Sequence, residues 1–117
     1  MSTSLFAVAF DCADAAALAR FWADVLGRQV AEDSTSEHAV LLAGDGGTSG
    51  PPITFNKVPE PKTVKNRLHL DLISGTFDAE TERLLGLAPA GSATCRQTRP
   101  AGRPSDIEGN EFDLIAG

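Results

Sequence analysis

The clearest pattern of hydrophobic and polar positions lies at Lys65-Asn66-Arg67-Leu68-His69-Leu70-Asp71-Leu72, where leucine recurs at every second place. Alternation of period two predicts a strand over Arg67 to Ile73, with Leu68, Leu70 and Leu72 on one face and Arg67, His69 and Asp71 on the other. A second alternation, Ser4 to Asp11, predicts a first strand with Phe6, Val8 and Phe10 on one side and Leu5, Ala7 and Ala9 on the other. The period changes after Asp14. Leu18, Phe21, Trp22, Val25 and Leu26 follow the spacing of one helical face, with Asp14 as N-cap and Gly27 as the closing residue.

Further strands are predicted over Gln29 to Asp33, Glu37 to Ala43 and Ile53 to Val58. Gly44 to Pro52 has loop composition, and the prolines of Pro59 to Val64 make that stretch a connector. The second half repeats the order of the first. The strand Arg67 to Ile73 leads into a helix over Thr76 to Leu85, with Phe77, Leu84 and Leu85 inward and Gly86 closing it. A last strand, Glu111 to Ile115, follows the turn Glu108-Gly109-Asn110. Two strand-helix-strands units, about residues 1–58 and 66–117, make one α+β domain of 117 residues.

Composition narrows the function classes. A net charge of −6 argues against a nucleic-acid partner, because phosphate neutralisation needs a basic face. No apolar run approaches the roughly 20 residues of a membrane span, and the expectation is a cytoplasmic protein. Cys12 and Cys95 lack the spacing of a disulfide framework or a zinc site and read as reduced thiols. His38 opens a strand after a polar turn and reads as solvated, and Trp22 reads as core.

Three groups of residues together resemble the vicinal oxygen chelate superfamily, in particular its glyoxalase-like and bleomycin-resistance-like domains. They are Asp14…Phe21-Trp22…Val25-Leu26-Gly27, the stretch from Val58 through Asn66-Arg67-Leu68-His69-Leu70-Asp71, and Asp106-Ile107-Glu108-Gly109-Asn110-Glu111-Phe112. The resemblance implies two βαβββ modules forming an open, cup-shaped antiparallel barrel with helices outside. It also implies a small molecule or a divalent metal in the cup, and a homodimer.

Carried over residue by residue, the metal positions fall on Ala7, which has no donor atom, on Asn56 or Thr54, on His69 and on Asp113. The pleat independently turns Glu111, Asp113 and Ile115 away from Phe112 and Leu114, as it turns His69, Asp71 and Ile73 away from the leucines. The metal set is then His69, Asp113 and Asn56, for nickel, zinc, manganese or iron. Ala7, Thr54, Asp71 and Ile73 line the ligand pocket, and Glu111 is the candidate for moving a proton. His69 could instead be a polar wall of an organic-ligand pocket, or bond to Asp71 with no chemical role. Residues 99–105 hold two prolines and a glycine, which do not make an interior strand.

The functional expectations are a metal-dependent lyase or isomerase acting on a small molecule, a metal-free protein that sequesters a drug or metabolite, and a dimeric scaffold with a vestigial cup.

Overall fold

The computed structural model describes residues 2–44, 50–87 and 105–117, and the chain divides into two compact units, Met1–Pro61 and Lys62–Gly117. Cys95 and the proline-bearing stretch from Arg99 to Pro104 lie outside the described residues.

In the first unit, β1 (Val8–Cys12) leads into α1 (Ala15–Leu26), and β2 (His38–Leu41) and β3 (Ile53–Lys57) follow. The helix begins and ends where its caps require. The Asp14 carboxylate accepts from the Ala17 N–H at 3.1 Å, a cap worth about 1 kcal/mol. Gly27 has φ 65°, the left-handed conformation that a closing glycine adopts without strain.

The apolar stripe of α1 packs on β2 and β3, burying Leu18, Phe21, Trp22 and Val25 against a sheet that contributes Ala39, Leu41, Ile53 and Phe55. Phe10 links helix and sheet. Its ring stacks on Trp22 at 6.0 Å between centroids and on Phe55 at 5.6 Å.

The sheet order is β1-β3-β2, with β1 parallel and β2 antiparallel to β3. The expected strand over Gln29 to Asp33 contracts to a single bridge between Val30 and Leu41. The first strand is also shorter than expected, so Phe6 precedes β1 and stays 83% exposed rather than joining Phe10 in the core.

In the second unit, β4 (Leu70–Ser74) leads into α2 (Phe77–Leu87), and β5 (Phe112–Ala116) closes the chain. Leu84, Phe112 and Leu114 form its buried apolar set among the described residues, and α2 packs on β4 and β5. Gly86 does not close this helix, which runs on to Leu87, and Leu85 is exposed rather than inward. The predicted strand begins late, at Leu70. Arg67 and Leu68 form a bend, which breaks the alternation and leaves Leu68 exposed.

β4 and β5 run parallel, as β1 and β3 do. The antiparallel expectation therefore holds only for β2 with β3. Parallel neighbours need a crossover connection between them, and each unit has a helix after its first strand. Strand followed by helix is the order the two units share; in the first, α1 leads into β2, which is antiparallel to β3, and β3 lies parallel to β1. The described strands close no barrel.

Candidate functional site

Parallel pairing of β4 with β5 sets Asp71 opposite Asp113 and Ile73 opposite Ile115. Paired positions in a parallel ladder project to the same side of the sheet. Leu72 and Leu114 pair likewise on the other side, and Leu114 is buried. The alternation of Phe112 and Leu114 with Asp113 and Ile115 thus brings two carboxylates together on one face. Two apolar side chains, Ile73 and Ile115, continue that face and are exposed.

His69 enters the same face from the residue just before β4. Its Nδ1 lies 2.7 Å from Asp71 Oδ1 and 3.5 Å from Asp113 Oδ2. Ligand atoms of His69, Asp71 and Asp113 all lie within 4.8 Å of one another. His69 and Asp113 side chains are half-buried, whereas Asp71 is the most open of the three.

The donor set fits a divalent ion. Two adjacent ligands of an octahedral ion at about 2.1 Å are held about 3.0 Å apart, and the two Nδ1-to-oxygen distances bracket that separation. Two carboxylates neutralise the ion, and the imidazole adds a borderline donor suited to first-row metals.

Glu111 sits in a hydrogen-bonded clamp. Lys62 Nζ donates to Glu111 Oε1 at 3.0 Å, and the Asn66 N–H donates to Oε2 at 2.7 Å. Asn66 Nδ2 also donates to the Glu111 backbone carbonyl at 3.0 Å. Both carboxylate oxygens are engaged, and the three bonds tie the segment preceding His69 to the start of β5. Burial pushes the Glu111 carboxyl up, but the bonds from Asn66 and Lys62 outweigh it and hold the group below the usual carboxylate range.

A depressed folded-state pKa contributes stability that is present above the unfolded carboxylate value and lost as pH falls through the folded one. Glu111→Gln is therefore expected to lower stability by about 1–2 kcal/mol at pH 7, and by less as Glu111 protonates in the parent protein. Urea midpoints of the two proteins, compared at neutral pH and at about pH 3, measure both parts.

Asp106, which heads the Glu-Gly-Asn motif, is 1% exposed and organises the turn before β5. Its Oδ1 accepts from the Glu108 and Asn110 N–H groups at 2.8 and 3.0 Å, and Asn110 Nδ2 donates to its Oδ2 at 2.9 Å. Gly109 takes φ 84° in this turn. An aspartate two residues before Glu-Gly-Asn is the recognisable signal for it. The turn delivers Glu111 to its clamp and Asp113 to the site.

The other expected site residues belong to the first unit. Asn56 and His38 are register partners across β2 and β3, and Asn56 Oδ1 lies 2.7 Å from His38 Nδ1. The amide oxygen offered as a metal donor is thus engaged by the histidine read as merely solvated. Thr54 lies on β3 and Ala7 immediately precedes β1, both half-buried.

Comparison with known proteins agrees with this architecture. The model of the glyoxalase-like domain matches residues 7–115. A fosfomycin resistance protein, FosX, from Listeria monocytogenes, crystallised with Mn(II) and 1S,2S-dihydroxypropylphosphonic acid, is 16% identical with a TM-score of 0.71, over 97% of this chain and 90% of that one. FosX from Mesorhizobium loti is 19% identical with a TM-score of 0.67, over 97% of this chain and 91% of that one. A glyoxalase/bleomycin resistance protein/dioxygenase family enzyme from Burkholderia phytofirmans is 19% identical with a TM-score of 0.69, over 96% and 97%. No curated protein sequence matches significantly. At these identities the solved structures speak for the fold, and the family follows from the domain match: the chain belongs to the glyoxalase-like domain family.

Proposed function

We propose that this protein binds a small organic molecule beside a divalent metal ion held by His69 and Asp113. The observation that carries this reading is the convergence of the His69 imidazole and the Asp113 carboxylate on one open sheet face, 3.5 Å apart. The Mn(II) present in the Listeria FosX crystal makes manganese a natural first ion to try, with iron, nickel and zinc beside it.

A bound ion would supply Lewis acidity, polarising an oxygen of the ligand. The chain's own residues do the rest. His69 and Asp113 hold the ion at a fixed place because β4 and β5 carry them or lead directly into them. Ile73 and Ile115 offer an apolar shelf on the same face, suited to the carbon portion of a ligand. Glu111 keeps the segment before His69 against β5. Engagement of both its oxygens favours that latch over the proton-transfer role.

The test is metal content and thermal stability. Protein purified without chelator is expected to carry one transition-metal ion per chain. After stripping, Mn(II) at 100 times its dissociation constant is expected to add roughly 2.7 kcal/mol of stability and to raise Tm accordingly. Absence of bound metal, with a Tm unmoved by manganese, iron, nickel and zinc, would overturn the reading. A Tm that then rose with aromatic cationic compounds alone would point to metal-free sequestration.

A further inference from the structure

We infer that Asp71 is a direct ligand of this ion, beside His69 and Asp113, so that one histidine and two carboxylates of the second unit share it. The inference rests on the metal reading at His69 and Asp113 and adds to it the identity of the third donor and the ring nitrogen used.

The argument starts from His69 Nδ1. Both carboxylates approach this nitrogen, Asp71 at 2.7 Å and Asp113 at 3.5 Å. An ion shared between Nδ1 and Asp113 must therefore enter the space into which the Asp71 carboxylate already points. Two outcomes are open to a carboxylate so placed. It can turn away into water, or it can give up its contact with the imidazole and bind the ion instead. Coulomb attraction at contact distance favours the second, because a divalent charge replaces a single shared proton.

Geometry favours it as well. Asp71 and Asp113 are register partners in the parallel ladder, so their backbone positions are fixed relative to one another. Asp71 and His69 are two residues apart, and their side chains already meet. The Asp71 side chain is 47% exposed, so the small rotation from hydrogen bond to ligand meets little packing. Among the described residues, Asp71 is the acidic group that clusters with His69 and Asp113.

Two carboxylates and one imidazole form an oxygen-rich set. That composition selects Mn(II) or Fe(II), with waters or ligand oxygens filling the other places, over ions that prefer nitrogen and sulfur donors. If Asp71 only oriented the imidazole, it would remain hydrogen-bonded to Nδ1, and the ion would bind Nε2.

Mn(II) titration of the full chain by calorimetry, with water-proton relaxation enhancement on the same samples, separates these roles. For Asp71→Asn the expected result is Mn(II) binding weakened beyond the roughly 10–100-fold that loss of an orienting partner brings, together with an additional exchangeable water on the bound ion. For Asp71→His, which restores a ligand but not a carboxylate, tight binding is expected to return for Ni(II) or Zn(II) and not for Mn(II). Unchanged Mn(II) affinity and hydration in Asp71→Asn would overturn the inference while leaving the metal reading intact. Failure of Asp71→His to bind nickel or zinc while the parent binds both would also overturn it. A parent protein that binds no ion would remove the metal reading itself.

Discussion

Replacement of Trp22 by alanine is expected to destabilise the protein by about 3–5 kcal/mol, enough to leave the first unit largely unfolded at ordinary temperature. Trp22 is 1% exposed at the centre of the α1 stripe. Its ring meets Phe10 in a stacked arrangement and Phe21 edge-on at 5.7 Å, so its removal strips partners from helix and sheet together. The Phe10 ring cannot collapse fully into the space, because it is already stacked on Phe55. Since Trp22 is the one tryptophan in the chain, its fluorescence disappears with it, and urea unfolding must be followed by far-UV circular dichroism. A loss below about 1 kcal/mol would show that the aromatic cluster is not the centre of this core.

Substitution at His69 is expected to act on the site and spare the fold. His69→Ala removes the nitrogen on which both carboxylates converge, and metal affinity is expected to fall by at least about 100-fold. Stability without metal should change little, because the contact with exposed Asp71 is a solvent-screened hydrogen bond that contributes within about 1 kcal/mol. A variant that stays folded but no longer binds metal is therefore the expected outcome. Loss of folding without metal would instead assign His69 a structural role.

Legibility in the sequence followed how local each determinant is. α1 could be read almost to the residue because cap, stripe and closing glycine lie within one stretch. The two Leu-Gly pairs looked alike, yet Gly27 adopts a positive φ and ends its helix, whereas Gly86 sits inside α2. A glycine within a helix costs only about 1 kcal/mol, which tertiary contacts can absorb. Strand direction was not readable, since alternation fixes which side a residue faces and carries no information about its neighbour's polarity.

The same distinction runs through the site. Alternation placed Asp71 and Asp113 on one side of their strands, and the family resemblance singled out His69 and Asp113. The hydrogen bonds of Glu111 are not legible locally, because its partners, Asn66 and Lys62, are 45 and 49 residues away. Asn56 looked available for the same kind of reason: its engagement with His38 depends on strand pairing across 18 residues.

The central claim is a divalent ion held on the β4–β5 face through His69. Its most direct measurement is an Mn(II) titration of the metal-free full chain, followed by loss of the free-ion paramagnetic resonance signal, with His69→Ala titrated in parallel. The account predicts one tightly bound ion per chain in the parent and none in the variant over the same concentration range. No binding by the parent, or equal binding by both proteins, would contradict it.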